Sequence, residues 1–160
     1  MVCGKNLVHI LASGAAEWNA FRDLNPDWVM LNGACLPEAQ LSHANLQRAF
    51  LLASDLHRAN LEGVRLEWSI LRKTNLHESN LRYARIDSAD LFNADLSRAD
   101  LRGASMSLCF LMQADLRGAD LSTAQGLTYA QIMKALGDEN TKLPGDLLRP
   151  ASWTAKGVLA

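Results

Sequence analysis

His57 and His77, twenty residues apart, are the side chains of this chain best suited to do chemistry, with Asp55 and Glu78 near them in sequence. Two imidazoles and a carboxylate form a ligand set for zinc or copper. No Cys-X-X-Cys or His-Glu-X-X-His spacing supports that set, and the glycines make no phosphate-binding loop. Asp90, Asp95, Asp100, Asp115 and Asp120 suggest acid–base work, yet all stand at multiples of five. Short acidic side chains at a fixed repeat position can bond to their own turns. A solvated polar ladder is therefore expected, with no catalytic residues, no metal site, no cofactor and no enzymatic activity. An odd count of three cysteines argues against a disulfide framework and fits a reducing compartment. Cys109 reads as a small core filler, whereas Cys35 (outward) and Cys3 (terminal) read as unreactive.

What must position these residues is a period of five. From Leu31 to Leu121 every fifth residue is a centre, nineteen in all, of which seventeen are leucine and the others Ile86 and Met106. Two places before each centre the residue is small, as at Ala34, Ala44 and Ser54, with Val29 and Val64 the largest. On an α-helix five residues overshoot a full turn by about 140°, which would smear the leucines around the cylinder. On a straight strand an odd period sends successive leucines to opposite faces. The chain must therefore turn once per repeat. Gly33, Gly63, Gly103 and Gly118 fall two places after a centre, where a corner with positive φ suits them.

Units such as Ala94-Asp95-Leu96-Ser97-Arg98 resemble the pentapeptide-repeat family, whose motif is Ala-(Asp/Asn)-Leu-X-X, and the match runs from residue 29 to about 125. Ten of the nineteen slots before a centre hold Asp or Asn, as that motif expects. The resemblance implies an all-β solenoid, a right-handed quadrilateral β-helix with one repeat per side and twenty residues per coil. The sequence supports four sides independently. Met30, Phe50, Ile70 and Phe110 precede centres at multiples of twenty, and Leu52, Phe92 and Met112 follow centres on that same side. Glu38, Arg58, Glu78 and Arg98 alternate in sign at the same spacing, close enough when stacked for a salt-bridge ladder.

One domain is expected, with three parts. Residues 1–28 read as an N-terminal capping helix with Leu7, Ile10, Leu11, Trp18 and Phe21 on one stripe, ending before Asn25-Pro26; Trp18 and Phe21 are the expected plug of the first coil. Trp18-Asn19-Ala20-Phe21-Arg22 also resembles the lead-in of many bacterial pentapeptide arrays. Residues 29–126 form the β-helix. Residues 127–160 read as a helix capped by Thr128 and stopped by Gly137, with Tyr129, Ile132, Met133 and Leu136 apolar, then an extended tail anchored by Trp153.

A net charge of −1 supplies no general pull toward nucleic acid or anionic lipid, and no run of 18 apolar residues can span a membrane. The family's abundance in bacteria implies a bacterial, cytoplasmic setting. Some members are thought to mimic B-form DNA and engage DNA gyrase, as quinolone-resistance proteins do. That alternative needs a strongly negative surface, whereas residues 29–126 carry ten basic against eleven acidic side chains. The preferred reading is a non-catalytic scaffold acting through protein–protein interaction or self-association by one apolar side. Its interface candidates are Met30, Phe50, Leu52, Ile70, Phe92, Phe110 and Met112, with Trp68 and Leu108 at the corner leading onto that side. Such a surface calls for a cover. The C-terminal tail, a second copy in a homodimer, and another protein partner all remain open.

Overall fold

In the computed structural model, which describes residues 4–154, all nineteen centres point inward and none is more than 5% exposed. The small residues between them complete the core. Where these carry hydroxyls, the hydroxyl is satisfied inside: Ser54 Oγ donates to the Leu31 carbonyl at 2.9 Å and Thr74 Oγ1 to the Leu51 carbonyl at 2.7 Å.

Strands β1 (Val29–Met30) and β2 (Ala49–Phe50) pair in parallel, Val29 with Ala49 and Met30 with Phe50. Parallel bridges then link residues twenty apart, from Cys35 with Asp55 through to Ser105 with Gln125. Each coil is thus four five-residue sides. Leu51 donates its N–H to the Ile70 carbonyl above at 2.8 Å, while Ile70 donates to the Ala49 carbonyl below at 2.9 Å. Corners close by the N–H of each small residue returning to the preceding centre, as Ser54 to Leu51 at 3.1 Å.

The residue two places after a centre has positive φ along nearly the whole stack. Besides the four glycines, fourteen other residues there, from Glu38 to Gln113, hold φ between 53° and 63°. Corner geometry is therefore imposed by the coil, and glycine merely relieves it.

The N-terminal segment is two helices rather than the single one expected, α1 (Gly4–Ala12) and α2 (Ala15–Leu24). The break falls at Gly14, whose φ of 119° an L side chain rarely adopts. Leu7, Leu11 and Trp18 are fully buried, and Ile10 and Phe21 pack against them.

Beyond residue 126 the structure departs further from expectation. Helix α3 is a single turn, Tyr129–Ile132, with Thr128 and Gln131 forming a capping box. Leu136 then bridges Asp115 and Lys142 bridges Asp120, so two further sides stack past the expected end of the coil. Residues 138–154 are not an extended tail along one side. Thr141 Oγ1 donates to the Leu116 carbonyl at 2.9 Å, and buried Trp153 packs at Gly137 and donates to the Ala135 carbonyl at 3.1 Å. Position 137 accordingly leaves no room for a Cβ, which would meet the Trp153 ring.

Candidate interaction surface

The side bounded by the corners at 48 and 53, and their equivalents twenty residues apart, carries two outward columns. Met30, Phe50, Ile70, Asp90 and Phe110 form the first, bridged rung to rung. Asn32, Leu52, Arg72, Phe92 and Met112 form the second, two residues further along each rung. Seven of the nine candidates belong to these columns, and Trp68 and Leu108 project from the adjoining corner.

Exposure varies along the side. Leu52, Phe110 and Met112 are about two-fifths exposed at 41%, 40% and 37%, and Trp68 and Leu108 reach 58% and 82%. Met30, Phe50, Ile70 and Phe92 are half-buried by their neighbours. Contacts run both between the columns and along them. The Phe92 and Phe110 rings stack with centroids 6.4 Å apart, and the Arg72 guanidinium lies 5.7 Å above the Phe92 ring. Arg72 Nε also donates to Asp90 Oδ2 at 2.6 Å, setting one ion pair across the middle of an otherwise apolar side.

Trp28 belongs to this surface and was not among the candidates. It is 49% exposed and its ring packs 4.9 Å from that of Phe50. Its register with Trp68 and Leu108, forty and eighty residues on, was the available signal. Leu24, which lines a recess with Trp28, is exposed too, as are Tyr83, Leu136 (on the side of Asp115), Tyr129, Met133 and Leu148.

The other sides are polar and internally paired. Arg58 bonds Glu78 at 2.8 Å and Arg98 reaches Glu78 at 3.4 Å, so the expected ladder forms over three of its four members. The Arg58 hydrogen bond is the main cause holding the Glu78 carboxyl below its ordinary range. His57 and His77 do not share a ligand. His57 Nδ1 lies 2.9 Å from Asp55 Oδ1, whereas His77 Nδ1 lies 2.8 Å from Ser97 Oγ and its Nε2 lies 3.4 Å from Glu78 Oε1. Among the described residues no three His, Cys, Asp or Glu side chains converge as a metal would require. Burial pushes the Cys109 thiol up to about 12, and Cys35 is exposed; both are free. Cys3 lies outside the described residues.

Glu67 is buried on a neighbouring side, with Arg85 Nε 2.8 Å from its Oε1. The approach is off-line for a hydrogen bond, which makes the contact an ion pair only. No helix among the described residues is long and apolar enough to cross a membrane.

A family model for pentapeptide repeats matches residues 34–72, 59–98 and 94–125, together over half the chain. Among solved structures, alr5209, a pentapeptide repeat protein from Nostoc PCC 7120, is 27% identical with a TM-score of 0.52, covering 84% of this chain and 88% of that one. HetL, a pentapeptide repeat protein involved in heterocyst differentiation regulation from the cyanobacterium Nostoc sp. strain PCC 7120, is 36% identical with a TM-score of 0.44. That match covers 59% of this chain, which spans about half (48%) of the HetL chain. A comparison with curated proteins finds no match.

Proposed function

The chain belongs to the pentapeptide-repeat family, and on that premise we propose that it works without catalysis, as a rigid scaffold that contacts protein through its apolar side. The right-handed winding and helical end-closures of the expected fold are part of the same proposal. One observation carries it. Exposed Leu52, Trp68, Leu108, Phe110 and Met112 lie on one side and its leading corner, while the remaining sides carry paired ions. Covering an exposed large apolar side chain fully is worth about 1.5–3 kcal/mol, whereas exposed ion pairs contribute about 0–1 kcal/mol. Free thiols at Cys35 and Cys109 support a reducing, cytoplasmic setting.

The test is a triple change of Phe50, Phe92 and Phe110 to Asn. Phe50 and Phe110 occupy the slot where the repeat already favours Asn, so the coil should be retained. Light scattering and binding of a hydrophobic fluorescent dye are compared with wild type. Loss of dye binding and of any association, at unchanged circular dichroism, is the expected result. A variant that behaves like wild type in both measurements would remove this side as the contact surface.

A further inference from the structure

We propose that the recess between the end of α2 and the corner at Arg48 binds a small organic anion, a planar ring carrying a phosphate or carboxylate group. The inference goes beyond the contact surface and shares only Trp68 with it.

The recess encloses about 340 Å³, near the lower bound of about 300 Å³ for small-ligand sites. Arg22 and Asp23 enter it from α2, Asn45, Gln47 and Arg48 from the first coil, and Trp68 from the next. Positive charge gathers there. Six of the eleven arginines make ion pairs, at 58, 72, 85, 98, 102 and 117. Of the other five, Arg22 and Arg48 line the recess, and Arg65 reaches its edge by donating to Gln47 Oε1 at 2.7 Å. Asp23 is the one carboxylate in the lining. Arg22 is 2% exposed and held in place by backbone carbonyls, and its Nε has no partner. Burial first, and then the charge of Arg48, lower its pKa; Asp27 offsets this only in part.

Hydrogen-bonding capacity points the same way. The acceptors of the lining are largely used. The Asn45 carbonyl takes the Trp18 indole N–H and its Oδ1 the Gln47 N–H, while the Gln47 carbonyl takes Arg22 and its Oε1 takes Arg65. The donors are open: the Arg48 guanidinium, the amide nitrogens of Asn45 and Gln47 and the Trp68 indole N–H bond to none of the described residues. Excess donors and excess positive charge select an oxyanion, which a free guanidinium grips through two parallel bonds. Trp68 supplies the other half of the site. It stands at the same corner as Arg48, one coil on, and is 58% exposed, so its indole face is available for a ring to stack on. A bare inorganic anion would leave that face unused.

Four probes separate the two halves: adenosine monophosphate (ring and phosphate), naphthoate (ring and carboxylate), adenosine (ring alone) and inorganic phosphate (anion alone). Each is titrated to roughly 5 mM by calorimetry, with the tryptophan indole N–H resonances followed in parallel. At least one ring anion should bind roughly tenfold more tightly than either adenosine or inorganic phosphate, and should shift the resonance that Trp68→Leu removes. The tighter of the two ring anions identifies the group as phosphate or carboxylate. Arg48→Gln and Trp68→Leu should each weaken that binding roughly tenfold. Both substitutions suit a positive-φ corner, since Gln113 and Leu108 hold such corners at φ of 58° and 57°, so circular dichroism should not change. No binding by either ring anion overturns the inference. Inorganic phosphate or adenosine binding as tightly as the ring anions overturns it too, because one half of the site would then be idle. So does binding that both single variants retain, which would place the ligand elsewhere.

Discussion

An aspartate or asparagine before the centre accepts the backbone N–H two residues on, and all ten such residues do so, from Asn45 with Gln47 to Asp120 with Ser122. That bond holds the first turn residue just before the positive-φ corner, which explains why either an acid or an amide fits the slot. The carboxylate adds charge. Arg102 grips Asp100 through Nε at 2.8 Å and a terminal nitrogen at 2.5 Å, and Arg117 grips Asp115 likewise at 2.9 and 2.5 Å. These arginine bonds are the largest cause holding both carboxyls below their ordinary value of 3.8. A depressed folded-state pKa contributes stability that is complete above the unfolded value. It is lost as pH falls through the folded one. Stability should thus be level from about pH 5 to 8 and decline below about pH 4. Asp100→Asn with Asp115→Asn keeps both turn bonds but removes both titrations. We expect a cost of about 0–1 kcal/mol at neutral pH, since the arginines are exposed, and a shallower acid decline. Urea midpoints measured at pH 2, 3, 4 and 7 check this, and an unchanged acid slope would show that other groups control it.

At the scale of elements, the coil was legible and its ends were not. Nineteen equivalent centres repeat one instruction, so the register survives Ile86 and Met106; their inward burial is the same as that of leucine. The ends are written once each. Helix α2 meets the first coil through a set of polar bonds that hydrophobic patterning does not reveal. Asn19 Oδ1 accepts the Asn45 N–H at 2.7 Å while its Nδ2 donates to the His43 carbonyl at 3.0 Å. Trp18 Nε1 donates to the Asn45 carbonyl at 2.7 Å, and Arg22 reaches the Gln47 carbonyl at 3.0 Å. Together these side chains stand in for the missing strand beneath residues 43–47. Trp18 was expected as a plug for its size, but its N–H and the neighbouring Asn19 carry no periodic signal. The continuation through Leu136 and Lys142 was hidden for a related reason. It bridges at offsets of twenty-one and twenty-two, because one extra residue enters with α3 and a second between Leu136 and Lys142. The apolar side was legible because it obeys the period, and its charge-paired centre was passed over because Arg72 and Asp90 look like ordinary surface residues. Asn19→Ala strands one donor and one acceptor and should cost about 1–2 kcal/mol. Chemical denaturation of that variant measures it, and a change below about 0.5 kcal/mol would mean that solvent satisfies the first coil equally well.

For the whole molecule, a parallel coil leaves unpaired backbone at two ends, and open strand edges pair with other chains. Here the C-terminal end is covered by the chain itself. Gly118 N–H is taken by Asp138 Oδ1 at 3.0 Å, the Leu116 carbonyl by Thr141, and the Met106 and Cys109 carbonyls by Gln131 at 3.2 and 2.9 Å. Arg149 ties the segment down through the carbonyls of Asp138 and Thr141. Side and end therefore offer two different routes of association. Because α2 closes the first coil, baring the far end leaves one open edge per chain, and a contact between two such edges closes at two copies. Removing residues 138–160 bares the edge at 118–121, while Leu136 keeps its pairing with Asp115 and Leu116. The truncated protein should pair end to end into elongated dimers, as read by light scattering. Adding the change of Phe50, Phe92 and Phe110 to Asn should not stop that pairing, because the contact lies at the end of the stack. Pairing abolished by the phenylalanine changes would assign the dimers to the side instead. A truncated chain that stays monomeric with an unaltered melting temperature would show that residues 138–154 are not what keeps the end from pairing.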